Sequence, residues 1–492
     1  MERREVVAAA VVAVSAATAV AVLVRQWQRS SERRRRRARS FLRRLAAQCA
    51  TPVPMLQDMA KEMAIHMGTS AAVVSNVKTL PTGDEEGVYY GLNLSETNFQ
   101  MWRAQLGGKR DGVVKQECET VPIPKNLMSA SIEGLFECIA KELAKFVSTE
   151  KDSFSTISTG VEGEGEKRLG FTYSFHHADY RSESSWNAQI RWKTLSDDDA
   201  VGKDLVDKMN KALQRHAVPM KVSSIVHDSV GDLAGDRYYN GDVVAAIILG
   251  GGTNAAYVEH QHVEQREPKS REKIIGVELG SFSYSRLPIT EFDADIQAES
   301  SNPSDQIFEK FVSATYLGEI VRRVLLKMAK ETALFGDYIP PKLKIPYVLS
   351  SPDMAAMHQD SSDDRDVVGE KLKEIFEIAD STPIVREIVA DACDIIVERG
   401  ARIAAAAMVG ILQKQGRFGS NKQTSVVTVD GGVYQHYRLF RNYLNSCVNE
   451  IQGSECSDNL HIQSTNGGSG IGAVFLAAAA AAASQVENLL HN

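Results

Sequence analysis

The sequence predicts a protein of the α/β class. Strand-like and helix-like pieces alternate from about residue 87 to the end, and several apolar strands run straight into loops rich in Gly, Asp, Asn or Ser. Long amphipathic helices punctuate the strands. With 492 residues the chain is long enough for two or three domains with substantial cores. Hydrophobic residues at 43% and charged residues at 24% place its bulk among ordinary globular proteins.

The N-terminus departs from that average. Residues 6–24 are an uncharged run of Val, Ala, Ser, Thr and Leu, close to the about 20 apolar residues that span a bilayer. Arg25, Arg29, the five arginines at 33–37, Arg39, Arg43 and Arg44 follow it, against Arg3 and Arg4 before it. The positive-inside rule then puts the body of the chain in the cytosol, with residues 1–40 as membrane anchor and basic tether. Import through an Ala/Arg-rich transit peptide is the alternative, and an Ala-rich tail that spans nothing is the plain one. Residues 1–44 carry a net charge of +9, which leaves −16 on residues 45–492. That acidic body argues against broad nucleic-acid binding, which needs a basic surface. The six cysteines, Cys49, Cys118, Cys138, Cys393, Cys447 and Cys456, form no CxxC pair and no metal-ligand spacing, so no metal site is expected from them. They read as thiols of a reducing compartment. The sequon at Asn93 reads as fortuitous on the cytosolic side.

Residues 41–67 have helical periodicity, with Leu42, Leu45, Leu56, Met59 and Met63 as apolar positions and a break at Pro52 and Pro54. The turn-rich segment 81–87 separates this helical region from the first buried strand, at residues 87–94. Residues 243–249 and 425–429 are further buried strands. Ile307, Phe308, Phe311, Val312, Tyr316, Ile320 and Val324 form one apolar stripe at helical spacing and are expected in the core. Residues 353–380 turn acidic and polar, as a solvated surface insertion would. The alanines at 477–483 favour a helix.

Four loops could bind phosphate, because glycine lets backbone N–H groups approach an anion. They are Leu92-Asn93-Leu94-Ser95-Glu96-Thr97-Asn98-Phe99, Leu249-Gly250-Gly251-Gly252-Thr253-Asn254, Val429-Asp430-Gly431-Gly432-Val433-Tyr434, and Asn466-Gly467-Gly468-Ser469-Gly470-Ile471-Gly472. The last opens the Ala-rich helix, whose N-terminal dipole favours a phosphate or ribose oxygen. None is a Walker A loop or a GxGxxG dinucleotide fingerprint. A strand-to-helix turn explains any one of them alone.

In this order the loops resemble those of the hexokinase family, across roughly residues 41–488. The most specific stretches are Leu169-Gly-Phe-Thr-Tyr-Ser-Phe175, Ser224-Ile-Val-His-Asp-Ser-Val-Gly231, Leu233-Ala-Gly-Asp-Arg-Tyr-Tyr239, Gly252-Thr-Asn-Ala-Ala-Tyr257, Pro288-Ile-Thr-Glu-Phe-Asp293, Tyr316-Leu-Gly-Glu-Ile-Val-Arg-Arg323 and Ser351-Pro-Asp-Met-Ala-Ala-Met-His358. With its apolar N-terminus the chain is most similar to the divergent membrane-anchored plant members, which implies the mitochondrial outer membrane. The resemblance implies a two-lobed, actin-like ATPase fold. A small lobe would span residues 86–225 with 467–488, and a large lobe 41–85 with 226–466. It also implies ATP with Mg²⁺ as phosphoryl donor and a hexose, glucose or fructose, as acceptor. Asp228 matches the catalytic base that takes the proton of the sugar 6-hydroxyl. Ser174, Asn254, Glu278 and Glu309 match sugar contacts, and carboxylates and amides suit a polyol. Lys193, Thr194 and His227 stand at sugar-side positions. Ser95, Glu96, Thr97, Asn98, Gly251, Asp430, Gly431, Gly432, Gly468, Ser469 and Gly470 stand where nucleotide would bind.

The departures from the family cluster. Its Leu-Asp-Leu-Gly-Gly-Thr-Asn-Phe-Arg is here a loop with Asn93, Ser95, Glu96 and Gln100 at the altered positions. Asn93 replaces the acid that helps organise Mg²⁺ through water. Glu96 puts a negative side chain where backbone should meet phosphate, and two unit charges about 4 Å apart interact by about 4 kcal/mol at an effective dielectric near 20. Gly251 stands in place of a threonine, His227 in place of an asparagine, and His176 in place of a proline. Trp192-Lys193-Thr194 transposes the family's Trp-Thr-Lys, and Gly467 stands where Asp is usual. The expectation is a hexose-binding protein with weak or lost phosphotransfer, acting in sugar sensing or regulation through protein partners. An active but slow hexokinase and a scaffold that binds neither ligand are the alternatives.

Overall fold

The computed structural model describes residues 29–67, 72–75, 77–95, 97–127, 131–149, 167–174, 199–260, 272–300, 305–418, 423–453 and 459–491, with residues 25, 154 and 303 individually. The anchor run 6–24 lies outside them, as do Glu96, His176, Trp192, Lys193 and Thr194. The chain divides into two compact units. One takes the described residues within 1–50, 288–294 and 317–399, and the other those within 51–287, 295–316 and 400–492.

In the first unit, residues 29–48 are helical and bury Phe41, Leu42 and Leu45. Ion pairs from Arg34 to Asp337 (2.7 Å) and Arg39 to Glu387 (3.2 Å) fasten the basic tether. The acidic stretch expected as a solvated insertion is instead built from helices Ser351–Gln359 and Asp366–Phe376. Val368, Leu372 and Phe376, four residues apart, are each buried, so the second helix is amphipathic and structural. Arg399 and Asp293 form a buried pair through two hydrogen bonds of 2.7 and 2.9 Å.

The second unit is organised on two sheets with the same plan. Strands β1 (Ala72–Val74), β2 (Glu86–Ser95), β3 (Asn98–Gly107), β4 (Val113–Pro122), β5 (Lys167–Ser174), β6 (Met220–His227), β7 (Val243–Leu249), β8 (Thr253–His260), β9 (Glu272–Val277), β10 (Ser425–Asp430) and β11 (Leu460–Ser464) follow in chain order. One sheet runs β4-β3-β2-β5-β6, the other β1-β9-β8-β7-β10-β11. In each, an antiparallel meander (β2-β3-β4 or β7-β8-β9) is followed by two strands parallel to its first member. Parallel strands need crossovers, which helices Ile132–Ser148 and Asp199–Arg215 supply in the first sheet. Leu135, Phe136, Ile139 and Leu143 of the one, with Leu205, Met209 and Leu213 of the other, pack with β2, β5 and β6 into one core.

Helices Asp228–Tyr239 and Gly468–His491 pack against each other, and the second lies on β2 and β5. Their crossing is unusually close. A Cβ on Gly472 would stand 1.9 Å from the Gly231 carbonyl oxygen, and one on Gly231 would stand 2.7 Å from Thr172 Cγ2. Only glycine allows backbones this near. The Ala-rich helix is therefore core, with Ile471, Val474, Phe475 and Ala478 packed on β3 and Tyr238. Of the expected stripe, Phe308, Phe311, Val312, Tyr316, Ile320 and Val324 are buried and Ile307 is half-buried, and Ser313 in extended conformation splits it into helices Ile307–Val312 and Ala314–Thr332.

Candidate active site

In parallel sheets, ligands gather at the carboxyl ends of the strands, where loops lead into helices. The register brings the predicted residues to that level. Ser95 pairs with Ser174 across β2 and β5, and Tyr173 with His227 across β5 and β6. Asp228 follows His227 as the first residue of its helix. Asp430 ends β10, alongside Ile248 of β7.

Asp228 is 3% exposed and surrounded by donors. Ser174 Oγ–H donates to Oδ2 at 2.6 Å and the Ser229 N–H donates to Oδ1 at 2.7 Å. His227 Nδ1 lies 2.5 Å from Oδ1 and 3.3 Å from the Ser229 nitrogen. As the N-cap of its helix, His227 accepts the Ser229 N–H at Nδ1. Its Nε2 lies 3.1 Å from the Asn254 amide nitrogen. An edge-on Tyr173 ring, 5.3 Å away, completes the setting of the imidazole. The chain Asn254–His227–Asp228–Ser174 joins three predicted sugar-side residues to the predicted base.

Glu309 borders the same end. Its Oε2 accepts from the Thr253 N–H at 3.1 Å, and the residue is 2% exposed. Gln306, buried in a left-handed conformation (φ 53°), donates from Nε2 to Glu278 Oε1 at 3.2 Å. Sequence reasoning missed Gln306, which holds one predicted sugar contact. It also missed Thr315, whose hydroxyl donates to the Gly251 carbonyl at 2.9 Å and fixes the β7–β8 turn with the Ala314 N–H to the Gly250 carbonyl at 2.7 Å.

At the other end, Thr172 Oγ1 lies 3.2 Å from both Asn93 Oδ1 and the Ser469 carbonyl, tying β2, β5 and the 468–491 helix together. Ser95 Oγ donates to the Asn98 carbonyl at 2.8 Å and receives its N–H at 3.3 Å, so the turn between β2 and β3 closes on itself. Thr97 is exposed in that turn. Gly431 is left-handed (φ 97°), and a Cβ there would stand 2.3 Å from the Leu249 carbonyl oxygen. It keeps β10 and β7 close, with Gly432 exposed beyond it. Asp430 accepts from Gln435 Nε2 at 2.7 Å, and burial, then neighbouring Asp228 and Asp236, raise its pKa. Gly468, Ser469 and Gly470 open the long helix as expected.

Family models described as hexokinase match residues 39–238 and 244–479. The chain belongs to the hexokinase family. Hexokinase-1 of Arabidopsis thaliana is 45% identical over 456 residues, covering 89% of this chain and 90% of that protein. Hexokinase-2 of Oryza sativa subsp. japonica is 44% identical over 468 residues, covering 92% and 93%. A solved hexokinase from Schistosoma mansoni, complexed with glucose, superposes with a TM-score of 0.71 at 22% identity over 90% of this chain and 99% of that one, which establishes the shared fold.

Hexokinases transfer a phosphoryl group from ATP with Mg²⁺. The residues here fit the backbone-cradling part of such a site, through Gly431 and the N-terminus of the 468–491 helix. They do not match the negative charge of the phosphates: among the described residues, none of Asn93, Ser95, Thr97, Asn98, Gly251, Asp430 or Ser469 is cationic, and Asp232, buried beside Gly468, has two carboxylate oxygens without a partner. Asn254, Glu278 and Glu309 form an array of acceptors and amides of the kind that suits hydroxyl groups.

Proposed function

We propose that this hexokinase-family protein binds glucose-type hexoses, glucose first and fructose second, with phosphoryl transfer weak or lost, and that it serves in sugar sensing or regulation through protein partners. The observation that carries this is the contrast between the ends of one site. Asp228 is buried and held by Ser174, with His227 and Asn254 linked to it, while the described residues of the phosphate end include the carboxylates of Asp232 and Asp430 and none of them is cationic. In this reading Asp228 is the base for the sugar 6-hydroxyl. Ser174, Asn254, Glu278 and Glu309, joined by Lys193 and Thr194, hold the remaining hydroxyls. The retained backbone cradle at Gly431 and Gly468 favours a second reading, a slow but active enzyme.

Residues 6–24 are proposed as a membrane anchor, with the body in the cytosol at the mitochondrial outer membrane. The arginines that follow them support it. Calorimetry with glucose, then fructose, tests hexose binding. Saturable heat is expected, and its absence overturns the proposal. A coupled assay with Mg²⁺ and ATP separates the two readings, because turnover within about tenfold of 10 s⁻¹ favours the active enzyme.

A further inference from the structure

Burying a carboxylate without a partner is costly, so a native fold holds one only with a proton or with something to meet it. Asp232 is such a group. It is 1% exposed, and neither carboxylate oxygen has a hydrogen-bond partner among the described residues. It lies one turn after Asp228 and one turn before Asp236, so three carboxylates line one side of helix Asp228–Tyr239. Its direction is set by its neighbour, since a Cβ on Gly468 would stand 4.0 Å from Asp232 Oδ1. The carboxylate thus faces the loop that opens helix Gly468–His491.

Among the described residues, the charges that act on it are acidic, and Arg237 of the same helix is paired with Glu272. Its own helix supplies Asp228 and Asp236, and the end of β10 supplies Asp430. β5 and the 468–491 helix bring Thr172 and Ser469 against the same helix at Gly231, and neither titrates. The other acids of the group are served: Asp236 Oδ1 accepts from the Asn466 N–H at 2.8 Å, and Asp430 from Gln435. Burial first, then Asp430, Asp228 and Asp236, hold the Asp232 carboxyl well above the usual carboxylate range.

We infer that Asp232 sets nucleotide affinity in this chain: its ionised form occupies the phosphate end with negative charge, and polyphosphate enters when Asp232 carries a proton. Binding from the ionised state then takes up one proton from solvent for each nucleotide bound. The inference rests on the reading of this site as a hexose and nucleotide site, and it names the residue that regulates the nucleotide half.

The test is calorimetry of the full chain in detergent with Mg²⁺ and ATP, from about pH 5 to about pH 9, in buffers of differing ionisation enthalpy. Wild type is expected to bind more weakly as pH rises and to take up about one proton at the alkaline end. Asp232→Asn and Asp232→Ser should bind about tenfold or more tightly there, the scale of one like charge removed from a partly screened site. They should also lose the extra proton, with protons belonging to the nucleotide itself counted from the variants. Equal affinities in wild type and variants, no proton uptake by wild type, or no nucleotide binding by any form at any pH would each overturn the inference. If the variants do not fold, the wild-type proton count decides alone. Glucose titrated into the same samples keeps the two readings apart. Glucose binding with pH-independent nucleotide binding overturns only this inference, and proton-coupled nucleotide binding without glucose binding overturns only the hexose reading.

Discussion

Replacing His227 by Asn probes the sugar end without touching the phosphate end. In the folded chain, the Asn254 amide is spent on His227 Nε2 at 3.1 Å, and His227 Nδ1 lies 2.5 Å from Asp228 Oδ1. His227→Asn shortens the side chain and releases the Asn254 amide for a hexose hydroxyl. A net hydrogen bond of this kind is worth about 0.5–1.5 kcal/mol, or about two- to tenfold in Kd. Asparagine is also among the preferred residues at a helix N-cap, where His227 stands, so helix Asp228–Tyr239 should keep its start. Glucose titration without nucleotide reads the effect. Glucose should bind about two- to tenfold more tightly to the variant. Unchanged or weaker binding by a variant that melts like wild type would refute the assignment of Asn254 as a sugar contact withheld by His227.

Three further outcomes are expected. Ser95→Gly with Glu96→Gly opens the turn that Ser95 closes on Asn98 and removes a charge, so turnover should rise at least about tenfold, for about 1.4 kcal/mol of barrier; no rise in the coupled assay transfers the deficit to Asp232. Arg399→Leu leaves Asp293 buried with its charge unpaired, and urea denaturation should show a loss of about 3–5 kcal/mol. Asp232→Asn should change how stability depends on pH. The folded state binds the Asp232 proton more tightly than the unfolded chain does, so wild-type stability falls as pH rises from the ordinary carboxylate range to the raised value. The variant's advantage in Tm should therefore widen with rising pH and close in acid, and a gap constant across pH would contradict it.

The strands were legible because apolar runs ended in Gly and Asp clusters, and the structure places β2, β7 and β10 on those runs. The same clusters marked where the site would be, since the carboxyl ends of parallel strands collect ligands whatever their chemistry. Burial within a helix was less legible. Asp232 reads as an ordinary polar helix residue until Gly231 and Gly472 let two helices touch over it. The available signal was acids at 228, 232 and 236, four residues apart, interleaved with glycines at 231 and 235. High charge likewise hid Val368, Leu372 and Phe376, whose spacing alone announced an amphipathic helix. Gln306 gave no signal, because its left-handed backbone and its bond to Glu278 depend on how residues 278–281 pack.

In the proposed function the hexose end works while phosphoryl transfer does not. Its most direct test is the rate of glucose 6-phosphate formation by full-length protein already shown to be saturated with glucose, with Mg²⁺ and ATP in excess. A rate more than tenfold below the common enzyme value of about 10 s⁻¹ is expected. A rate near that value, on protein carrying Asn93, Ser95, Glu96 and Asp232 unchanged, would contradict it.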